Sequence, residues 1–311
     1  TELSMTRKMT VQNTPNAERN TGKMRCNSWM NRQKRENMAY LIKYAYICHT
    51  GKIRVNNEDN FWCCGEKLSI CNDGSDGIHT GRQLGGDLPV FGVFDGMGGE
   101  SQGEMASYLA SSTFDDFYQS HRKDLRRQPE EFLLQASLAM NDAVCRYSRE
   151  KKINAMGTTM AMIAFENRSV HICNLGDSRI YEVSQGKLKQ ISRDHVLAGY
   201  MLGKSPLTQF LGIEEEDMKI EPAVKSFPYE DGKRYLLCSD GVTDMLSDPE
   251  LEKILTQGLS VEETARRLMD QVLERGARDN TTIILCETEQ KMHPLLRWIW
   301  QSRKENEGEI L

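Results

Sequence analysis

Five aspartates stand in short segments whose composition suits a hard metal cation. They are Asp59, Asp95, Asp177, Asp240 and Asp279, within the segments 54–59, 95–99, 176–179, 239–241 and 279–282. No cluster of cysteines or histidines accompanies them, so the metal that they indicate prefers oxygen ligands, as Mg²⁺ and Mn²⁺ do. Metal-assisted hydrolysis of a phosphate ester is therefore the first hypothesis.

The hypothesis rests on the set, because a lone aspartate at a strand end is usually a turn former or a helix cap. Four members fall at the edges of apolar runs, where a rigid backbone can hold a carboxylate in place: Asp59, Asp95, Asp240 and Asp279. Carboxylates that are buried together raise one another's pKa unless cations neutralise them. Two divalent ions would neutralise four of them.

Glycines and an arginine accompany these carboxylates. Gly96, Gly98 and Gly99 follow Asp95, and glycine lets a backbone carbonyl approach an ion or a phosphate closely. An ordinary glycine turn is the alternative. Arg54 precedes Asp59 in the same segment and is a candidate phosphate clamp, because guanidinium matches phosphate oxygens as a fork. A plain surface arginine is the alternative there.

Composition narrows the class of protein. The 311 residues, 39% hydrophobic and 27% charged, fit an ordinary globular protein with one large or two small domains. A net charge of −5 disfavours non-specific binding to nucleic acid. The nine cysteines form no C-x-x-C pair, which indicates free thiols in a reducing cytoplasm. We expect a cytoplasmic protein with no membrane span and no signal peptide.

The N-terminal region differs from the rest in charge. Residues 1–38 carry eight Lys/Arg and three Asp/Glu, a balance of +5, which leaves −10 for the remainder. Their polar composition predicts a basic flexible tail, although docking of Trp29 and Met30 on the domain or a partner is an alternative. Residues 39–288 are expected to form the folded domain, and 289–311 a C-terminal tail or helix.

Hydrophobic periodicity predicts the elements that position the aspartates. Strands are expected at 41–48, 61–64, 88–94, 158–165, 169–175, 179–183, 234–238 and 281–286. Helices are expected at 102–119, 129–149, from 248, at 260–276 and at 295–300. Residues 65–87 are expected to form a long loop or wide hairpin, and 195–225 an irregular flap. Because regular βαβ alternation is absent, we predict an α+β fold with antiparallel sheets and segregated helices.

Seven segments, in this order, resemble the motifs of the protein phosphatase 2C family, the metal-dependent Ser/Thr protein phosphatases, and in particular its bacterial branch. They are residues 54–59, 95–99, 157–159, 176–179, 194–195, 239–241 with Asp244, and 279–282. The resemblance covers about residues 40–288. It implies a four-layer α-β-β-α sandwich, two antiparallel sheets flanked by helices, with metals in a cleft at one end.

The resemblance also implies roles for individual residues. The two-metal centre, for Mn²⁺ or Mg²⁺, would be held by Asp59, Asp95, the carbonyl of Gly96, Asp240 and Asp279. Glu58 would act through bound water, Asp177 and Asp244 would belong to a third, weaker metal site, and Arg54 would bind the phosphate. A hydroxide bridging the two ions would then attack phosphorus in line, and no covalent phosphoenzyme would be needed.

Two features depart from the family pattern. Met97 stands in the glycine segment, with Glu100 after it, where some members carry a histidine that acts as general acid. The proton donor is therefore unassigned, with a water on a metal as the candidate, and His195 is expected to be structural. The flap, 195–225, looks shorter than in typical bacterial members, so we expect a more open cleft.

The implied activity is that of a serine/threonine phosphoprotein phosphatase. We expect a monomer whose substrates are phosphorylated Ser/Thr proteins, a Ser/Thr kinase among them. Two alternatives stay open: a catalytically silent phosphoprotein-binding module of the same fold, and a small-molecule phosphoesterase. Retention of every metal carboxylate favours an enzyme over the silent module.

Overall fold

The fold is built from two β-sheets and the helices that cover them. The computed structural model describes residues 38–98, 102–153, 155–166, 169–200 and 205–292. Its strands are β1 Met38–His49, β2 Asp59–Cys63, β3 His79–Leu84, β4 Val90–Gly98, β5 Met156–Thr158, β6 Met160–Phe165, β7 Ser169–Leu175, β8 Arg179–Ser184, β9 Lys187–Gln190, β10 Ala223–Pro228, β11 Arg234–Cys238 and β12 Thr281–Met292. The α-helices are α1 Gln102–Arg127, α2 Pro129–Lys151, α3 Asp240–Thr243, α4 Asp248–Leu255 and α5 Val261–Glu274.

The strands pair into two separate sheets. The first sheet has the order β3-β1-β12-β11-β8-β9, and the second has the order β10-β7-β6-β4-β2, with the short β5 paired to β4. Every pair whose register is defined is antiparallel. The predicted α+β class with antiparallel sheets is therefore confirmed.

The inner core lies between the two sheets, and strand alternation selects its members. Successive side chains of a strand point to opposite faces. In β4, Phe91 and Val93 belong to the inner core, whereas Val90 and Phe94 belong to the core on the other face of the sheet. Burying one such side chain stabilises the fold by about 1.5–3 kcal/mol.

Helices cover the outer face of each sheet. Phe114 of α1 and Phe132 of α2 pack with Phe94 against the second sheet. Leu251 of α4 and Leu268 of α5 belong to the core cluster on the outer face of the first sheet. The predicted four-layer sandwich is confirmed by this arrangement.

Local signals set the helix boundaries as expected. Ser260 and Glu263 form a reciprocal capping box at the start of α5, which satisfies backbone N–H groups that have no partner inside the helix. Ser247 and Glu250 do the same for α4. Gly276, with φ of +105°, follows the end of α5 as glycine commonly does.

Two edge strands lie in segments that were expected to form a loop, a hairpin or a flap. Residues 65–87 contain β3, and β10 begins within 195–225, the predicted flap. Both strands are partly exposed, so their sequences lack the apolar alternation that identifies a strand. Pairing with β1 and β7 holds them in place.

Residues 39–291 form one compact unit. The predicted tail, apart from residue 38, and the predicted helix at 295–300 lie outside the described residues. Among the described residues, no helix is long and apolar enough to cross a membrane. Eight cysteines lie in the described part of the chain, and all of them are free thiols.

Candidate active site

The predicted aspartates meet because their strands end at the same edge of the sandwich. Asp59 opens β2 and stands opposite Asp95 of β4 in the strand register. One residue, Ser239, separates the end of β11 from Asp240, and one residue, Asn280, separates Asp279 from the start of β12. A pocket of about 350 Å³ at this edge is lined by Arg54, Glu58, Asp95, Gly96, Asp177, Asp240 and Asp279.

Two predicted residues do not line the pocket. Asp59 is only 1% exposed and lies behind the lining, beside Asp95. Asp244 is exposed on the turn after α3, where its backbone N–H donates to the carbonyl of Asp240. Asp177 therefore lines the pocket together with the central carboxylates, whereas Asp244 is not among the lining residues.

Asp59 is oriented by two hydroxyl groups. Ser239 Oγ donates to Asp59 Oδ2 at 2.7 Å, and Thr282 Oγ1 donates to the same oxygen at 2.6 Å. Asn57 Oδ1 accepts the backbone N–H of Asp59. The serine of Ser-Asp-Gly and the second threonine of Asp-Asn-Thr-Thr thus hold a carboxylate that is remote in sequence.

Asp95 is positioned by Thr159, the residue between β5 and β6. Its backbone N–H donates to Thr159 Oγ1 at 3.0 Å, and its carbonyl accepts the Thr159 N–H at 2.9 Å. The Thr159 hydroxyl also shares a hydrogen bond of 2.7 Å with Ser178. The segments 157–159 and 176–179 thereby support the backbone of Asp95.

Asn280 anchors the loop that carries Arg54 and Glu58. Its Nδ2 donates to the carbonyls of Thr50 and Asn56, and its Oδ1 accepts the N–H of Glu58 at 2.8 Å. One side chain thus satisfies three backbone groups of the loop. From the sequence, Asn280 is recognisable only as a member of its motif, since nothing local reveals partners more than 200 positions away.

Gly96 permits a close approach between β4 and the start of α1. A Cβ at this position would lie 2.1 Å from the carbonyl oxygen of Gly103 and 2.5 Å from that of Glu58. Real Cβ atoms do not come so near to backbone oxygens, so only glycine fits. The carbonyl of Gly96, a predicted ligand, depends on this packing, whereas Gly99 and Glu100 lie outside the described residues.

Glu104 is a buried acidic residue near Glu58 that was not predicted to belong to the site. Burial, reinforced by the charge of Glu104, raises the pKa of Glu58 to about 7. Glu104 itself is 9% exposed, and its Oε2 has no hydrogen-bond partner within the described structure. In the sequence, an acidic residue at this position looks like an ordinary feature of a helix N-terminus.

Arg54 contributes the pocket's positive charge. Its Nη2 lies 2.8 Å from Asp279 Oδ2, and its Nη1 lies 3.9 Å from Glu58 Oε2. The hydrogen bond that Arg54 donates to the Asp279 carboxylate raises the pKa of Arg54. Almost half of the arginine side chain, 48%, is exposed, so the guanidinium can be reached from solvent.

The chemistry of the lining fits a hard cation, because its charged donors are carboxylate oxygens. Five carboxylates face a single arginine: Glu58, Asp95, Asp177, Asp240 and Asp279 against Arg54. Within the described ranges, however, no three carboxylate, imidazole or thiol side chains form a preassembled metal cluster. The individual ligand assignments therefore stay predictions.

The 194–195 segment supports the body of the fold. Arg179 holds Asp194 through hydrogen bonds of 2.7 to 3.2 Å. His195 is buried, and its Nδ1 accepts the N–H of Gly176. Burial lowers the pKa of His195, and the residue does not line the pocket.

Comparison with known proteins identifies the family. The family model described as protein phosphatase 2C matches residues 71–277. The serine/threonine phosphatase stp of Listeria monocytogenes is 30% identical over 253 residues, which cover 76% of this chain and 92% of that protein.

Solved structures agree with that match. The serine/threonine phosphatase PstP/Ppp of Mycobacterium tuberculosis superposes with a TM-score of 0.64 at 27% identity, over 80% of this chain and 99% of the other. A PstP catalytic domain in complex with two manganese ions has a TM-score of 0.63 at 26% identity, with the same coverage. The sequence match, the fold and the carboxylate pocket all indicate the same family. The chain belongs to the protein phosphatase 2C family of serine/threonine phosphatases.

Proposed function

We propose that this pocket hydrolyses the phosphate monoesters of phosphoserine and phosphothreonine in proteins, with two Mn²⁺ or Mg²⁺ ions as cofactors. The observation that supports this most is the excess of carboxylate over arginine in the pocket. Such an excess is costly in a partly buried site unless cations compensate it. The manganese complex of the related PstP domain supports the choice of metal.

The proposed ligands are those expected from the family motifs. Asp59, Asp95, the Gly96 carbonyl, Asp240 and Asp279 would hold the two ions. When bound, the ions would lower the pKa of a shared water and offset the negative charge of the phosphate. Asp177 would belong to a weaker third site, whereas the exposure of Asp244 argues for a smaller contribution from that residue.

The residues of this chain would do three things around the ions. Arg54 would exchange its ion pair with Asp279 for a forked contact with the phosphate. Ser239 and Thr282 would keep Asp59 oriented through their hydrogen bonds to its Oδ2. Glu58 would hold an ordered water, and the loop that carries it would be kept in place by Asn280.

The leaving group needs a proton from a source other than histidine. Met97 occupies the glycine segment, and no histidine lines the pocket among the described residues. Because histidine is the commonest general acid near neutral pH, its absence should leave the rate more dependent on the pKa of the leaving alcohol. An aryl phosphate would then react faster than an alkyl phosphate.

The decisive experiment measures hydrolysis of an aryl phosphate and of a phosphothreonine peptide, with Mn²⁺ and after its removal by chelation. We expect turnover only with the metal, and loss of turnover in Asp95→Asn. Asp116→Asn, on the exposed face of α1, is the matched control and should behave as wild type. Absence of metal-dependent turnover in the wild type would overturn the enzymatic function.

The same experiment separates the alternatives. Binding of the phosphopeptide without turnover of either substrate would indicate a silent binding module. Turnover of the aryl phosphate but of no phosphopeptide would indicate a small-molecule phosphoesterase. Full activity of Asp95→Asn would overturn the assignment of the site while leaving the activity in place.

A further inference from the structure

A second cavity, of about 850 Å³, adjoins the candidate active site and has more than twice its volume. Met97, Gly98 and Leu207 line both cavities, so the two are continuous at the end of β4. We call the second cavity the flanking pocket. Its larger apolar lining residues include Met97, Met156, Leu207, Phe210, Ile213 and Met218.

The wall of the flanking pocket is held firmly by the body of the fold. Thr158 and Leu211 exchange two backbone hydrogen bonds, of 2.9 and 2.8 Å. Asn141 Oδ1 of α2 accepts the N–H of Gly212 at 2.8 Å, and Leu211 is fully buried. This part of the predicted flap is therefore anchored, and the cavity exists before any ligand arrives.

Phe210 reaches its place because residue 157 is a glycine. A Cβ on Gly157 would lie 2.6 Å from Cδ2 of the Phe210 ring. The ring is half-buried, so one part packs on β5 and another lines the cavity. Met218, which is 42% exposed, is another apolar residue of the lining.

The chemistry of the flanking pocket differs from that of the active site. Its lining is mainly apolar, and apolar concavities with a few polar groups are typical of ligand sites. At the rim, Arg149 is paired with Glu214, so these two charges largely compensate each other. Lys152 is exposed and makes no ion pair with any residue that the structure describes.

We propose that the flanking pocket receives an apolar side chain of the phosphoprotein substrate, close in sequence to the phosphorylated residue. This rests on the proposed function. The substrate is the occupant that the geometry favours, because the two cavities share Met97, Gly98 and Leu207, so a segment with its phosphate in one cavity has the other directly beside it. A residue rises about 3.3 Å along an extended chain, so a near neighbour of the phosphoresidue reaches the flanking pocket.

The test compares phosphothreonine peptides that carry Leu or Ser at each neighbouring position in turn. Wild type should prefer Leu at one of these positions by about tenfold or more in kcat/KM, as expected for burying a Leu side chain. Met218→Asp should remove that preference, and Met218→Leu should retain it. Hydrolysis of an aryl phosphate, which is too small to enter the flanking pocket, should stay unchanged in both variants.

Leu138→Asp is the matched control, since Leu138 has the same 42% exposure as Met218 but lies outside both cavities. It should keep the preference for Leu. Equal rates for all peptides in wild type, or an intact preference in Met218→Asp, would overturn the proposal while the phosphatase activity stands. Faster phosphopeptide hydrolysis by Met218→Asp would also overturn it, and would indicate that a segment of this chain occupies the pocket. If the wild type hydrolysed neither the aryl phosphate nor any of the phosphopeptides, the proposed function itself would be refuted.

Discussion

The Thr282 hydroxyl donates a hydrogen bond of 2.6 Å to Asp59 Oδ2, which joins the start of β12 to the start of β2 across 223 positions. The same threonine contacts Cys48 Sγ at 3.2 Å, and its backbone N–H donates to Ser239 Oγ at 2.9 Å. Residues of two strands of the first sheet, β1 and β12, together with Ser239 just after β11, thereby control one carboxylate that belongs to the second sheet. The orientation of Asp59 depends on the packing of the two sheets.

Thr282→Val should weaken metal-dependent catalysis with little loss of folded structure, because valine keeps the shape and removes the donor. A hydrogen bond to a charged group contributes about 1.5–3 kcal/mol, so we expect kcat/KM for an aryl phosphate to fall about tenfold or more. The Mn²⁺ concentration for half-maximal activity should rise as well. Steady-state rates over a Mn²⁺ titration measure both effects.

Thr256→Val is the control for that substitution, since the Thr256 hydroxyl donates to a helix carbonyl at the exposed end of α4. It should leave the Mn²⁺ dependence at the wild-type value. An unchanged Mn²⁺ titration for Thr282→Val would contradict the positioning role.

Arg54→Lys should weaken phosphate binding although it keeps the charge. Lysine offers a point charge in place of a planar fork, and it would lose the short contact with Asp279. We expect KM for an aryl phosphate and the inhibition constant of inorganic phosphate to rise together, by about tenfold for a loss of 1.4 kcal/mol.

Inhibition by inorganic phosphate reports binding without the chemical step. Arg127→Lys, at the exposed end of α1, should leave both constants unchanged. If Arg54→Lys behaved in the same way, Arg54 would not be the phosphate clamp.

Gly96→Ala should destabilise the protein and abolish activity. The new methyl group would lie 2.1 Å from the Gly103 carbonyl oxygen, so β4 and α1 would have to separate. Overpacking of this kind costs about 1–3 kcal/mol, which urea denaturation would resolve. Gly85→Ala is the control, because the new Cβ would lie 3.7 Å from its nearest neighbour atom. If Gly96→Ala were as stable as the wild type, the close approach of β4 and α1 would be refuted.

His171 should make stability depend on pH in the acidic range. Burial lowers the pKa of His171, although Glu166 and Glu130 act in the opposite direction. Its Nδ1 shares a hydrogen bond of 2.7 Å with Ser226 Oγ, and that hydroxyl also donates to Glu130. Nε2 is buried and without a partner in the described structure, so protonation there would leave a charge unsatisfied.

Between the lowered folded-state pKa and the ordinary histidine value of about 6.5, the unfolded chain binds more protons than the folded one. Stability should therefore rise with pH through this window and fall as the pH drops below about 6.5. His171→Gln should reduce that slope in urea denaturation at a series of pH values. His121→Gln, on the exposed part of α1, should not, and an equal slope in the two variants would count against the burial effect.

Much of the fold follows from local pattern. The run 169–175 was predicted to be a strand and is one to the residue, as is 234–238. The capping residues Ser260 and Glu263 mark the start of α5 in the sequence and in the structure. These elements can be predicted from the sequence because burial of one face or both imposes a periodic pattern of apolar side chains.

Edge strands and the anchored part of the flap were harder to predict. β3 presents His79, Arg82 and Gln83, which read as loop residues, and it is a strand only because β1 supplies hydrogen-bond partners. From the sequence, the segment around Leu211 is predicted to belong to an irregular surface flap. In the fold, its bonds to Thr158 make it a wall of the flanking pocket.

The sequence alone determined the residue types of the site, since carboxylates, glycines and an arginine in ordered motifs already indicate hard metal ions and phosphate. Only the tertiary structure decided which of them share a pocket: Asp177 lines it, Asp59 stands behind it and Asp244 faces solvent. It also revealed Glu104 beside Glu58 and Asn280 beneath the Arg54 loop. The reason is physical: composition and periodicity act within a strand or helix, whereas the partner of a side chain depends on how distant strands are ordered and stacked.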